Sequence, residues 1–229
     1  MIYNYTAIMT LITSLLLAFF ILVKNPKKES NIVLSMLGFI TFIWTFILFI
    51  VRYLTDNNDI VLFLTKINFV VMIFCSYLLF HFVEIFPNDS IKNKKYLLYC
   101  FIPVPIVWIL LATPYIITNA RVVSDRVDVD RGMFYAVYVI IFISYLLMTI
   151  VRLYLKFKAG KGLLRLQTKY ILWAFGIMFT GASITNLVLP LFQINSFVQY
   201  GPFFTIPFMF LDTLPETPAL LRAGMNGSP

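Results

Sequence analysis

Seven stretches of apolar residues, separated by short polar or charged intervals, set the pattern of this chain. They run over Tyr5–Val23, Asn31–Val51, Ile60–Phe86, Tyr96–Ile117, Met133–Val151, Tyr170–Phe192 and Phe197–Leu211. None shows the period of two that marks a half-buried strand or a barrel strand. The runs are apolar on all faces. Hydrocarbon offers backbone groups no partners, so each run predicts an α-helix. A crossing needs about 20 apolar residues, within roughly 17–25. Six runs reach that length and the last is shorter. The pattern therefore predicts an all-α fold, an integral membrane bundle of seven transmembrane helices over residues 5–211. Short intervals make consecutive helices antiparallel neighbours. The longest interval, 118–132, holds Arg126-Val-Asp-Val-Asp-Arg131. Its alternation predicts a short extended segment over the mouth of the bundle, with a solvated loop as the alternative.

Composition agrees with this reading. Apolar residues make up 61% of the 229 and charged ones only 12%, and the mean hydropathy is +0.90. A soluble domain carries about 25% charged residues. A soluble enzyme, a disordered chain and a disulfide scaffold are excluded. Cys75 and Cys100 lie inside apolar runs and read as small buried residues, with neither a bridge nor a metal site expected.

The net charge of +8 changes the picture only through its distribution. Lys24, Lys27, Lys28, Lys92, Lys94, Lys95, Arg152, Lys156, Lys158, Lys161, Arg165 and Lys169 fall in the odd intervals. Only Arg52, Arg121, Arg126 and Arg131 fall in the even ones. Positive residues stay inside, so the N-terminus is expected outside and the C-terminus in the cytoplasm. Topology accounts for the excess charge, and no nucleic-acid partner is expected. The first run has no basic residue before it and no small-residue cleavage site after it, so it does not read as a signal peptide.

Chemistry is sparse. Lys66 lies six residues into the third run and is expected to snorkel outward, with ligand binding as the lesser alternative. His81 and Glu84 are three apart near the other end of that helix, where such a pair can bond on one face. With no second histidine a metal site is not expected, and the pair reads as an anchor at the membrane edge. The remaining runs carry no mid-membrane charge of the kind ion pathways use. The last run has no lysine for a retinal Schiff base. No phosphate-binding glycine loop and no hydrolase triad are present, so no catalytic residue, metal or cofactor is expected.

Uncharged polar groups gather late in the chain. Thr180, Ser183, Thr185 and Asn186 follow Gly176, Gly181 and Ala182, and Gly176 and Thr180 have the small-xxx-small spacing of packed membrane helices. Pro190, Pro202 and Pro207, like Pro103, Pro105 and Pro114 in the fourth run, break or bend helices and open cavities. An outward pocket lined by Asn186, Gln193, Asn195 and Gln199 is the candidate ligand site, against a reading in which these residues only pack helices together.

Three stretches carry a resemblance. They are Phe80-His-Phe-Val-Glu-Ile-Phe-Pro87; Arg165-Leu-Gln-Thr-Lys-Tyr170 with Gly181 and Asn186-Leu-Val-Leu-Pro190; and Tyr200-Gly-Pro-Phe-Phe-Thr-Ile-Pro207. With the seven-run layout they resemble the N-terminal seven-helix sensor region of bacterial histidine kinases, over about residues 5–211. The resemblance implies a receptor in the bacterial cytoplasmic membrane that answers a small molecule or an envelope condition. It also implies a kinase or cyclase output module on the cytoplasmic side as partner. Arg165, Gln167, Pro190, Gly201 and Pro202 are the positions expected to couple signal to output, and a homodimer is left open. A small polytopic transporter or permease subunit is the rival, disfavoured because no internal repeat is visible. Residues 212–229 carry Pro215 and Pro218, which stop a helix. No phosphoacceptor histidine and no ATP-binding motif follow. A non-helical tail is expected there, the end of a truncated or altered sensor or of a stand-alone relative without enzymatic activity.

Overall fold

The computed structural model describes residues 2–53, 57–86, 94–123, 126–185, 201 and 203–207. Its long helices are α1 (Ile2–Lys24), α2 (Glu29–Tyr53), α3 (Asn58–Ile85), α6 (Tyr135–Ala159) and α7 (Gly162–Ser183). Between α3 and α6 lie two short helices, α4 (Lys94–Phe101) and α5 (Pro103–Ala112), and two strands, β1 (Ile117–Val123) and β2 (Arg126–Arg131). Five segments among the described residues are long and apolar enough to cross a membrane: Tyr5–Lys24, Glu29–Val51, Asn58–Ile85, Lys95–Ala112 and Tyr135–Ala159.

The bundle is arranged for lipid. Ile8, Met9, Ile12, Leu16, Phe19 and Val23 of α1 point outward, while Thr10, Ser14, Ser35, Thr41, Thr45 and Asn68 are buried. In hydrocarbon, small and hydroxylated residues belong at helix contacts, because close packing and hydrogen bonds replace the hydrophobic drive. The seam of α1 with α2 follows this rule. Ser35 Oγ donates to the Ala18 carbonyl at 2.8 Å, and a Cβ on Gly38 would sit 2.8 Å from that of Ala18. Other buried hydroxyls bond back one turn within their own helix, as Thr41 does to Leu37 and Thr149 to Tyr145, which satisfies the donor without a partner helix.

Helix α3 is the centre, packed by α2, α5, α6 and β1. Asn57 starts it, its side chain accepting from the Asp59 and Ile60 backbone N–H groups at 2.9 and 3.4 Å, as an N-cap does. Ile73, Phe80, Phe82 and Val83 are almost fully buried.

Two expectations need correction. The fourth run is not one helix to Ile117. It breaks at Ile102, where Pro103 and Pro105 remove two donors, and it ends at Ala112 just before Pro114. Tyr145 Oη donates to the Cys100 carbonyl beside the break at 2.5 Å. Ile117 opens the extended segment, which is a β1–β2 hairpin. An irregularity between Ile117 and Asn119 shifts its phase, so Ile117 and Ala120, three apart, are both buried. The second correction concerns the basic interval 152–169. It is not a loop: α6 runs on to Ala159 and α7 begins at Gly162. Gly162, at φ +55°, has the left-handed backbone that favours glycine and lets the turn stay this short.

Candidate functional site

Polar chemistry concentrates where α3 ends. A helix leaves its last four carbonyls without intrahelical partners, and the sequence places Pro87 directly after Phe86, so the helix cannot continue. Lys156, one helical turn beyond Arg152 on α6, reaches this end. Its ammonium donates to the Glu84 carbonyl at 3.0 Å and to those of Val83 and Phe86. Arg152 Nε lies 2.8 Å from Glu84 Oε1, and the guanidinium stands over the Tyr96 ring, 5.7 Å from its centroid. His81 Nε2 is 3.9 Å from Glu29 Oε1 at the start of α2. One cluster thus joins α2, α3, α4 and α6. The expected pairing of His81 with Glu84 does not form, because each side chain meets a different neighbouring helix.

A second closure stands at the hairpin end. Lys66 does not simply snorkel outward. Its Nζ donates to the Thr113 carbonyl at 3.0 Å, which caps the end of α5. Tyr138 Oη donates to the Phe69 carbonyl at 3.2 Å and holds α6 to α3 a turn deeper.

Between these closures lies a cavity of about 40 Å³. Its wall comes from α2 (Trp44), α3 (Met72, Cys75, Ser76, Leu79), α6 (Phe142, Leu146), α7 (Met178, Phe179, Ala182) and Thr205. Thr205 Oγ1 is 3.4 Å from Thr41 Oγ1. The wall is almost wholly apolar, so it can hold an uncharged or charge-neutralised guest and not a free hard ion.

Of the residues singled out from sequence, Asn186, Pro190, Gln193, Asn195, Gln199 and Pro202 lie outside the described residues. Arg165 is exposed on the first turn of α7, with its guanidinium over the Phe157 ring at 5.0 Å. Gln167 is half-buried and Gly201 buried. Among the described residues, a Cβ on Gly176 would meet nothing within 4 Å. The close approach is at Gly181, where a Cβ would fall 2.4 Å from the Phe204 ring. Thr185 is turned back to the Gly181 carbonyl at 2.9 Å. The pairing of Arg152 and Lys156 with the end of α3 is absent from the sequence reading. Its signal is their i, i+4 spacing, which becomes visible once α6 is extended past Val151.

A family model described as the N-terminal 7TM region of histidine kinase matches residues 6–213. No curated protein matches the chain, and no solved structure does.

Proposed function

Because the chain belongs to the family of N-terminal seven-transmembrane regions of histidine kinases, we propose that it senses a signal within the membrane and passes it to a cytoplasmic kinase-type output module. In this reading it crosses the bacterial cytoplasmic membrane seven times. The N-terminus lies outside, with Phe197–Leu211 as the last crossing. The observation that carries the reading is the cluster at the end of α3. Lys156 and Arg152 tie that end to α6, and α6 turns within two residues into α7. A small displacement of α3 is thereby transmitted to the helix pair nearest the output side. Asn186, Gln193, Asn195 and Gln199 are the proposed ligand contacts in the outer half, and Arg165, Gln167, Pro190, Gly201 and Pro202 the proposed coupling positions.

Two experiments test this. Reporter fusions after Lys95 and after Lys169 are expected to be cytoplasmic and one at Asp125 external; a cytoplasmic reporter at Asp125 overturns the orientation. In a fusion to a working kinase module, Asn186→Leu is expected to give a folded protein that is deaf or locked on. An unchanged dose-response in both Asn186→Leu and Gln199→Leu removes the ligand assignment.

A further inference from the structure

Three sulfur-bearing side chains from α3 and α7 line the cavity. Met72 and Cys75 stand three residues apart on α3, and Met178 reaches it from α7. Nine methionines and two cysteines are spread over 229 positions, yet three of these eleven stand in this one wall of eleven residues. Cys75 and Met178 are buried, at 6% and 4% exposure, and Met72 is half-buried. Cys75 is a free thiol with no hydrogen bond among the described residues.

We propose that Met72, Cys75 and Met178 form a binding site for copper(I). Ligand chemistry selects the ion. Thiolate and thioether sulfurs are soft donors that favour copper(I), whereas calcium and magnesium require oxygen. The hydroxyls in the wall are engaged, Ser76 with the Ile73 carbonyl at 2.7 Å and Thr205 with Thr41. Zinc favours four nitrogen or sulfur ligands, and the described residues hold no group of three His, Cys, Asp or Glu.

Charge selects it again. A lone thiolate is costly in an apolar wall. When the copper–sulfur bond forms, the thiol proton leaves for solvent. The ion's single positive charge then cancels the thiolate's negative one, so the unit held in the cavity is neutral. Copper stays in its +1 state, and no oxidant or reductant is consumed.

Size makes the same choice. At about 40 Å³, the space falls far short of the ~150 Å³ that admits benzene, and it suits a small guest. Flexible methionine side chains can close on an ion without displacement of their helices. An occupied site ties α3 to α7 by metal–sulfur bonds. Only that consequence, copper as the sensed signal, rests on the sensor reading above.

The test is titration of the purified full chain in detergent. Silver(I) serves as a redox-inert probe, and copper(I) is delivered in competition with bathocuproine disulfonate. One equivalent is expected to bind tightly. Cys75→Ala abolishes it, and Met72→Leu and Met178→Leu each weaken it about tenfold or more, since each removes a soft ligand. Cys100→Ser and added zinc(II) leave it unchanged. The leucine variants nearly conserve volume, and their helicity and unfolding temperature confirm the fold. Undiminished binding in Cys75→Ala overturns the site, as does full affinity in both leucine variants, which leaves only an isolated reactive thiol. Failure of the sensor reading looks different: copper binds as described, yet never alters the activity of an attached kinase.

Discussion

The bundle closes two of its helices with a lysine, and the two closures differ in depth. At the end of α3, Lys156 serves three carbonyls while Arg152 and Glu84 pair beside it. At the end of α5, Lys66 serves one carbonyl, and the hairpin covers the neighbourhood with Ile117 and Ala120. Both answer the same demand. A proline follows each helix in sequence, and the last carbonyls lack intrahelical partners. The difference lies in what a lysine can replace. A single carbonyl near an exposed turn has water as an alternative. Three carbonyls beside a half-buried carboxylate demand more, so a second cation joins the first. The α3 end is therefore the stiffer of the two, and it is the one that links several helices.

The largest expected effect breaks that stiffness. Lys156→Met leaves several acceptors unpaired and costs about 2–4 kcal/mol of stability, given roughly 1–3 kcal/mol for each buried group left unsatisfied. Its check is the unfolding midpoint in detergent. Arg152→Ala loses the Glu84 contact and the Tyr96 stack and costs about 1–2 kcal/mol, reduced by its partial exposure. If it equals or exceeds Lys156→Met, the carbonyl cap is not the dominant part of the cluster. Lys66→Met is expected to cost about 0.5–1 kcal/mol, the net value of one hydrogen bond. A loss as large as that of Lys156→Met erases the contrast between the ends. The smallest effect sharpens it. Lys158→Gln with Lys161→Gln, both exposed on the same short turn, shifts stability by no more than about 0.5 kcal/mol. Both residues lie within five positions of Lys156, so their silence separates a cap from a surface charge.

The runs in the sequence placed α1, α2 and α3 well, because period and length are local properties. The third run, Ile60–Phe86, also falls within two residues of the observed ends of α3. The limit of α6 was not legible. Arg152, Lys156 and Lys158 resemble loop residues when only hydrophobicity is followed, although arginine and lysine are good helix formers. The break at Ile102 was foreshadowed by Pro103 and Pro105, but its stabilisation by Tyr145 joins residues 45 apart. The same holds for the candidate metal site. Nothing in the local sequence of Cys75 and Met178 relates them, and only the packing of α7 near α3 brings them to one wall. Lys66 shows the converse: snorkelling and capping demand the same outward reach, and only the position of Thr113 decides between them.

Synthesis imposes an order on the α3 closure. The ammonium that caps α3 belongs to a residue 70 to 73 positions later in the chain. While the ribosome makes α4, α5 and the hairpin, α3 already stands in the membrane with its last carbonyls open and the Glu84 carboxylate unmatched. Its final seat is fixed only when α6 emerges. A pulse-labelled chain halted before residue 152 should therefore leave α3 accessible to water-soluble reagents at Glu84, and one halted well past 159 should not. The bundle is completed from its fifth crossing backward.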